Sequence, residues 1–164
     1  MRKKAEGIPH AGRGSALERT LELAHQVYRE RDLVWIRHNR TAGAWRGKRF
    51  VPMPDKSAPD YYGCLRGRFL AFEAKECRDT RWLLKTNSAH QLGRLQALAV
   101  ARAVAWFAVE EVRARELTLV RIWPDSPRPA FDFRAPLEPD MLRLPLGPEG
   151  WYDWLPFVRS AWFV

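Results

Sequence analysis

The sequence predicts an α/β protein in which a mixed central sheet is flanked by helices. Three observations carry that expectation. An amphipathic segment from Ser15 to about Arg31 precedes a short run rich in aliphatic and aromatic residues. Two short strands meet at a tight turn within residues 59–76, and a helical segment over 88–103 leads into two further apolar strands. The order α-β-ββ-α-ββ places helices between strands that must lie side by side. At 164 residues the chain fits one domain with a sizeable core.

Taken in order, residues 1–12 are basic and glycine-containing and are expected to be flexible. Ser15-Ala16-Leu17-Glu18 matches a capping box, and Leu17, Leu21, Ala24, Val27 and Tyr28 follow at helical spacing. Leu33–His38 has strand composition. Residues 39–57 interrupt the regular pattern. Arg40, Arg46, Lys48, Arg49 and Lys56 make the stretch basic, with Trp45 and Phe50 among them. Such interleaving can hold phosphates and stack on unpaired bases. A solvated loop or hairpin anchored by one tryptophan would show the same residues. After the hairpin comes a second basic connection with Arg81 and Lys85. Ser88 is a candidate cap for the next helix, with Leu92, Leu95, Leu98 and Ala99 facing inward. Strands are expected over 103–112 and 116–123. Residues 124–150 are Pro-rich and read as irregular, with one short strand near 131–133. The aromatic end, 151–164, reads as a packing segment or part of a subunit interface. No repeat and no domain boundary interrupts the chain, so residues 1–164 read as a single domain.

Charge and composition narrow the function. The formal net charge of +9 is spread along the chain and points to a polyanionic partner. No apolar run approaches the ~18 residues that a membrane span needs. The N-terminus lacks the apolar core of a signal peptide. Two cysteines, Cys64 and Cys77, are too few for a disulfide framework and, with four scattered histidines, give no zinc spacing. A reduced, intracellular setting is expected.

The chemistry concentrates in the hairpin. If Arg66-Gly67 forms a two-residue loop, Leu65 pairs with Arg68, Cys64 with Phe69, and Asp60 comes to lie opposite Glu73. Directly opposed residues have Cβ atoms about 5 Å apart. Lys75 shares a face with Glu73, while Leu70, Phe72 and Ala74 point the other way into a core. Cys64 is expected in the core. Two carboxylates this close raise each other's pKa unless a cation joins them, and a hard divalent ion such as Mg²⁺ suits the pair. The lysine can orient an attacking water or stabilise charge developing on phosphate. An exposed hairpin with an ordinary Glu–Lys surface pair would carry the same spacing. Pro59-Asp60 and the apolar strand around Glu73 favour the site.

With both helices and the hairpin placed, the chain resembles the RecU-type Holliday junction resolvases within the PD-(D/E)xK nuclease superfamily. Pro59-Asp60 and Glu73-Ala74-Lys75 match the superfamily motif. Gly12–Glu18, Lys56–Gly63, Gly67–Glu76 and His90-Gln91 resemble family segments in the correct order, so the likeness covers roughly residues 12–123. It implies a restriction-endonuclease-like nuclease core that nicks four-way DNA junctions symmetrically as a homodimer, using Mg²⁺ with Mn²⁺ as a substitute. Asp60 and Glu73 would be metal ligands, with the Ala74 backbone carbonyl as a third. Lys75 would assist the chemistry, and Glu18 and Gln91 would complete the catalytic set. Glu18 and Gln91 also occupy capping-box positions, which alone would account for them. The family's basic stalk would correspond to about residues 40–57. Phosphate contacts are expected from Arg13, Arg40, Arg46, Lys48, Arg49, Lys56, Arg81 and Lys85, with Trp45 and Trp82 as aromatic contacts. The implied location is the cytoplasm of a bacterial or phage-infected cell. A nuclease of the same superfamily acting on flaps, ends or duplex fits the same residues. So does a non-catalytic, recombination-associated DNA-binding protein, although the intact Asp60/Glu73/Lys75 set weighs against it.

Overall fold

A computed structural model of the chain describes residues 15–39, 43–46, 49–52 and 58–163. Helix α1 (Ser15–Glu30) forms as its apolar periodicity requires. Leu17, Leu21, Ala24 and Tyr28 make a fully buried stripe. Strand β1 (Trp35–His38) follows after a turn. Strands β2 (Gly43–Arg46) and β3 (Arg49–Pro52) pair as a separate hairpin, so part of the basic segment is regular after all. Next come β4 (Tyr61–Leu65), β5 (Arg68–Cys77), β6 (Arg81–Leu83), a 3₁₀ turn at Thr86–Ser88 and helix α2 (Ala89–Val100). Strands β7 (Val104–Glu111), β8 (Glu116–Ile122), β9 (Ala130–Asp132) and β10 (Met141–Pro145) precede helix α3 (Leu155–Trp162).

The main sheet has the order β1-β4-β5-β7-β8-β10. Every pairing is antiparallel except β5 with β7. Those two strands run parallel because α2 carries the chain back across the sheet between them. The β4–β5 turn is the predicted two-residue loop. Arg66 at φ 51° and Gly67 at φ 76° are both left-handed, as a type I′ turn demands. The register runs from Leu65↔Arg68 to Tyr61↔Phe72, so the next pair outward is Asp60 and Glu73.

Both faces of β5 are covered. Leu70 and Phe72 join one core with α1, α3 and Trp106, while Ala71 joins a second core with Leu95 of α2, Phe107 and Trp82. Four aromatic rings stack across successive strands of the first core. His38, Tyr61, Phe72 and Trp106 are register partners in turn, with centroids 4.5, 4.7 and 4.7 Å apart. This ladder pins four strands next to the Asp60–Glu73 pair.

Several expectations change. Cys64 pairs with Phe69 as predicted but is exposed, because among the described residues no helix covers that part of the sheet face. Trp82 is buried against Phe107 and Phe131, so it cannot stack on a base. Leu33 lies before β1 and is exposed. Ser88 forms no side-chain cap and sits in the 3₁₀ turn. The Pro-rich segment contains β10, a full edge strand paired with β8. The aromatic end forms α3, whose Leu155, Val158 and Trp162 pack into the first core. Tyr28 fixes it there: its hydroxyl donates to Asp153 (2.8 Å) and accepts from the Leu155 N–H (3.1 Å).

Candidate active site

Where β4 ends, β5 continues, and the exposed edge of β5 becomes the site. Past Phe72 the strand has no ladder partner on the β4 side among the described residues. The Asp60 side chain takes that place, its Oδ2 accepting from the Ala74 N–H at 3.0 Å. The N–H and C=O of a strand residue point the same way, so the Ala74 carbonyl lies on the Asp60 side as well. Three oxygen donors therefore converge at one edge of β5.

Glu73 is fully buried and its two oxygens are engaged by three donors. Gln91 Nε2 donates to Oε2 at 2.6 Å and Arg94 Nη1 to Oε1 at 3.0 Å. Lys75 Nζ lies 3.4 Å from Oε2 and 3.8 Å from Asp60 Oδ2, bridging the two carboxylates. Burial, and secondly the Asp60 charge, push the Glu73 carboxyl up to about 8 despite Lys75 and Arg94. Among the described residues no three His, Cys, Asp or Glu side chains gather as a ready-made metal cluster. The donor set is instead two carboxylates and a carbonyl, the hard-oxygen chemistry that suits Mg²⁺ with waters and a phosphate.

Gln91 and Arg94 stand one turn apart on α2, on the face turned toward β5. Gln91 therefore spends its side chain on Glu73 and not on a helix cap. Arg94 was not singled out by sequence reasoning. It also donates to the Ala58 carbonyl, tying the segment before Asp60 to α2. Its i+3 spacing from Gln91 was the available signal. Glu18 comes from α1. Burial raises its pKa first, and Asp60 and Glu76 add to the rise while His38 opposes it. It forms no ion pair among the described residues. The first turn of α1 is held by β5 directly, since Glu76 Oε1 accepts from the Leu17 N–H at 3.1 Å.

The expected phosphate contacts divide. Arg81 is exposed and paired with Asp132 at 3.2 Å, while Lys85 is exposed. The backbones of Arg46 and Arg49 pair across β2–β3. Arg13, Arg40, Lys48 and Lys56 lie outside the described residues, as does the side chain of Trp45.

The family model described as "Recombination protein U", RecU, matches residues 12–122. The chain belongs to the RecU family. It is 32% identical over 114 residues to the Holliday junction resolvase RecU of Geobacillus kaustophilus, covering 61% of this chain and 55% of that protein. It is 29% identical over 114 residues to the Holliday junction resolvase RecU of Staphylococcus saprophyticus, covering 62% and 54%. The chain thus spans about half the length of these RecU relatives. The structure of Hjc, a Holliday junction resolvase from Archaeoglobus fulgidus, is a looser likeness, with a TM-score of 0.40 and 14% identity over 80% of this chain and 83% of that one. The RecU match includes α1, the hairpin, α2, β7 and β8, so every residue of the Asp60–Glu73 centre falls within it.

Proposed function

We propose that this protein is a Mg²⁺-dependent endonuclease that cuts phosphodiester bonds in branched DNA, with the four-way junction as substrate and a homodimer as the working unit. One observation carries the reading: Asp60, Glu73 and Lys75 converge at the edge of β5 within a chain of the RecU family. Asp60, Glu73 and the Ala74 carbonyl would hold the cation, with Mn²⁺ as a substitute. When bound, Mg²⁺ supplies charge neutralisation at the phosphate under attack. Lys75 presents an ammonium group beside both carboxylates, where it can orient a water in line with phosphorus and stabilise charge on the phosphate. Gln91 and Arg94 hold the Glu73 carboxylate in a single orientation. Glu18 adds a third acidic side chain near Asp60 and tunes the local field. Two equivalent centres related by a two-fold axis match the paired, symmetric nicks that resolve a junction.

The test separates chemistry from binding. Glu73→Gln keeps the hydrogen-bonding shape of the side chain and removes its charge. Cleavage of a synthetic four-way junction should fall by roughly a hundredfold or more while junction binding in the absence of metal persists. Joint loss of fold and binding would make Glu73 a structural residue and remove the basis of the proposal.

A further inference from the structure

Arg121, at the end of β8, is 6% exposed, and its Nε and Nη1 are buried without a hydrogen-bond partner. Its guanidinium lies between two tryptophan rings, 4.5 Å from the centroid of Trp123 and 5.3 Å from that of Trp162. A desolvated cation is held tolerably by such rings but is not neutralised by them. Burial, and secondly the charge of Arg68 at the start of β5, lower the pKa of Arg121. Arg68 donates to the Trp162 carbonyl and lies over the Phe163 ring, which fixes it at the same place. Asp140 is the carboxylate whose charge Arg121 feels, and the two form no ion pair. Two guanidinium groups that both contact Trp162, with no carboxylate ion-paired to either among the described residues, make a receptor for a multiply charged oxyanion, because the arginine fork matches phosphate geometry. Trp123 covers one side of Arg121 and is 43% exposed, so its ring offers a surface on which a base can stack.

We infer that Arg68, Arg121 and Trp123 form a nucleic-acid strand anchor, the guanidinium pair taking a backbone phosphate and Trp123 the adjoining base. Arg68 lies at the opposite end of β5 from the nuclease centre, while Arg121 stands level with Phe72, two strands away through Trp106. Five residues separate Arg68 from Glu73, or roughly 16 Å along the strand. Arg68 and Arg121 fall within the RecU match, which ends at residue 122, while Trp123, Trp162 and Phe163 come from beyond it. The inference does not depend on the nuclease reading, because it concerns where a strand is held and not how one is cut.

Fluorescence anisotropy of labelled oligo-dT, with EDTA present to prevent cleavage, provides the test. Arg68 and Trp123 are both exposed, so Arg68→Ala and Trp123→Ala should fold. Each should weaken oligo-dT binding about tenfold, while the melting temperature stays near that of the parent. Arg121→Met, which keeps the side-chain stem between the rings, should give a similar loss. Inorganic phosphate should compete weakly with oligo-dT in the parent protein and not in the Arg68 variant. Unchanged oligo-dT affinity in both exposed-residue variants would overturn the inference. So would tight binding of polyglutamate with no binding of oligo-dT, which would make the pair a carboxylate site. Thymidine monophosphate bound as tightly as oligo-dT would replace the strand anchor with a free-nucleotide site.

Discussion

Burial and the neighbouring Asp60 hold a proton on Glu73 that an exposed glutamate would have lost. The folded-state value of about 8 stands above the ordinary 4.5, so between those limits the folded protein binds more protons than the unfolded chain. Stability of the metal-free protein should therefore fall as pH rises through that window and level off above it. Glu73→Gln should remove this part of the slope, which thermal melts across the range will show. Cation binding needs the ionised carboxylate, so Mg²⁺ affinity measured by calorimetry should climb with pH up to about 8. Lys75, and after it Arg94, oppose the rise in the Glu73 pKa. Arg94→Ala leaves a fully buried carboxylate with one cation fewer, and it should lower metal affinity or cleavage roughly 10–100-fold. Asp60, Glu73 and Lys75 were legible in the sequence because the two-residue turn at Arg66-Gly67 and strand periodicity together put them on one face. Arg94 was not, because nothing in a helical pattern says which polar residues of a partly buried face will meet a buried acid. The exposure of Cys64 was missed for a related reason: pairing register does not reveal which part of a sheet face a helix covers.

The β4–β5 hairpin decides whether the site exists. Its length was readable from Arg66-Gly67, and the left-handed φ of both residues shows why this pair accepts a two-residue loop. Gly63 makes a separate demand, at the β1–β4 pairing. A Cβ there would collide with the Trp35 carbonyl oxygen. Gly63→Ala should thus push β1 away and destabilise the protein by about 1–3 kcal/mol, measurable by denaturant unfolding. It should also loosen the stack from His38 to Trp106. Strand β10 escaped sequence reading because Met141–Pro145 sits among prolines and reads as irregular. Its position as an edge strand, with Pro145 at its end, is what tolerates that composition. The short β2–β3 hairpin was only half visible, since its basic and aromatic residues are equally at home in a loop.

At the scale of the molecule, the chain places its candidate nuclease centre where β4 stops pairing with β5, inside the sheet, and its C-terminal aromatic helix over one face. The charge of +9 implies that phosphate contacts dominate affinity, so junction binding should weaken steeply with salt, with a log–log slope of several units. A flat response would contradict the role given to the arginines. The proposed homodimer predicts a mass near twice 19.1 kDa by sedimentation at the concentrations where cleavage is measured. The central claim is met most directly by incubating the protein and Mg²⁺ with a synthetic four-way junction, a flap and a plain duplex, beside Asp60→Asn. Paired symmetric nicks confined to the junction, abolished in the variant and by chelation of the metal, are the predicted result. Equal cutting of the duplex, or junction cutting that survives Asp60→Asn, would contradict the account.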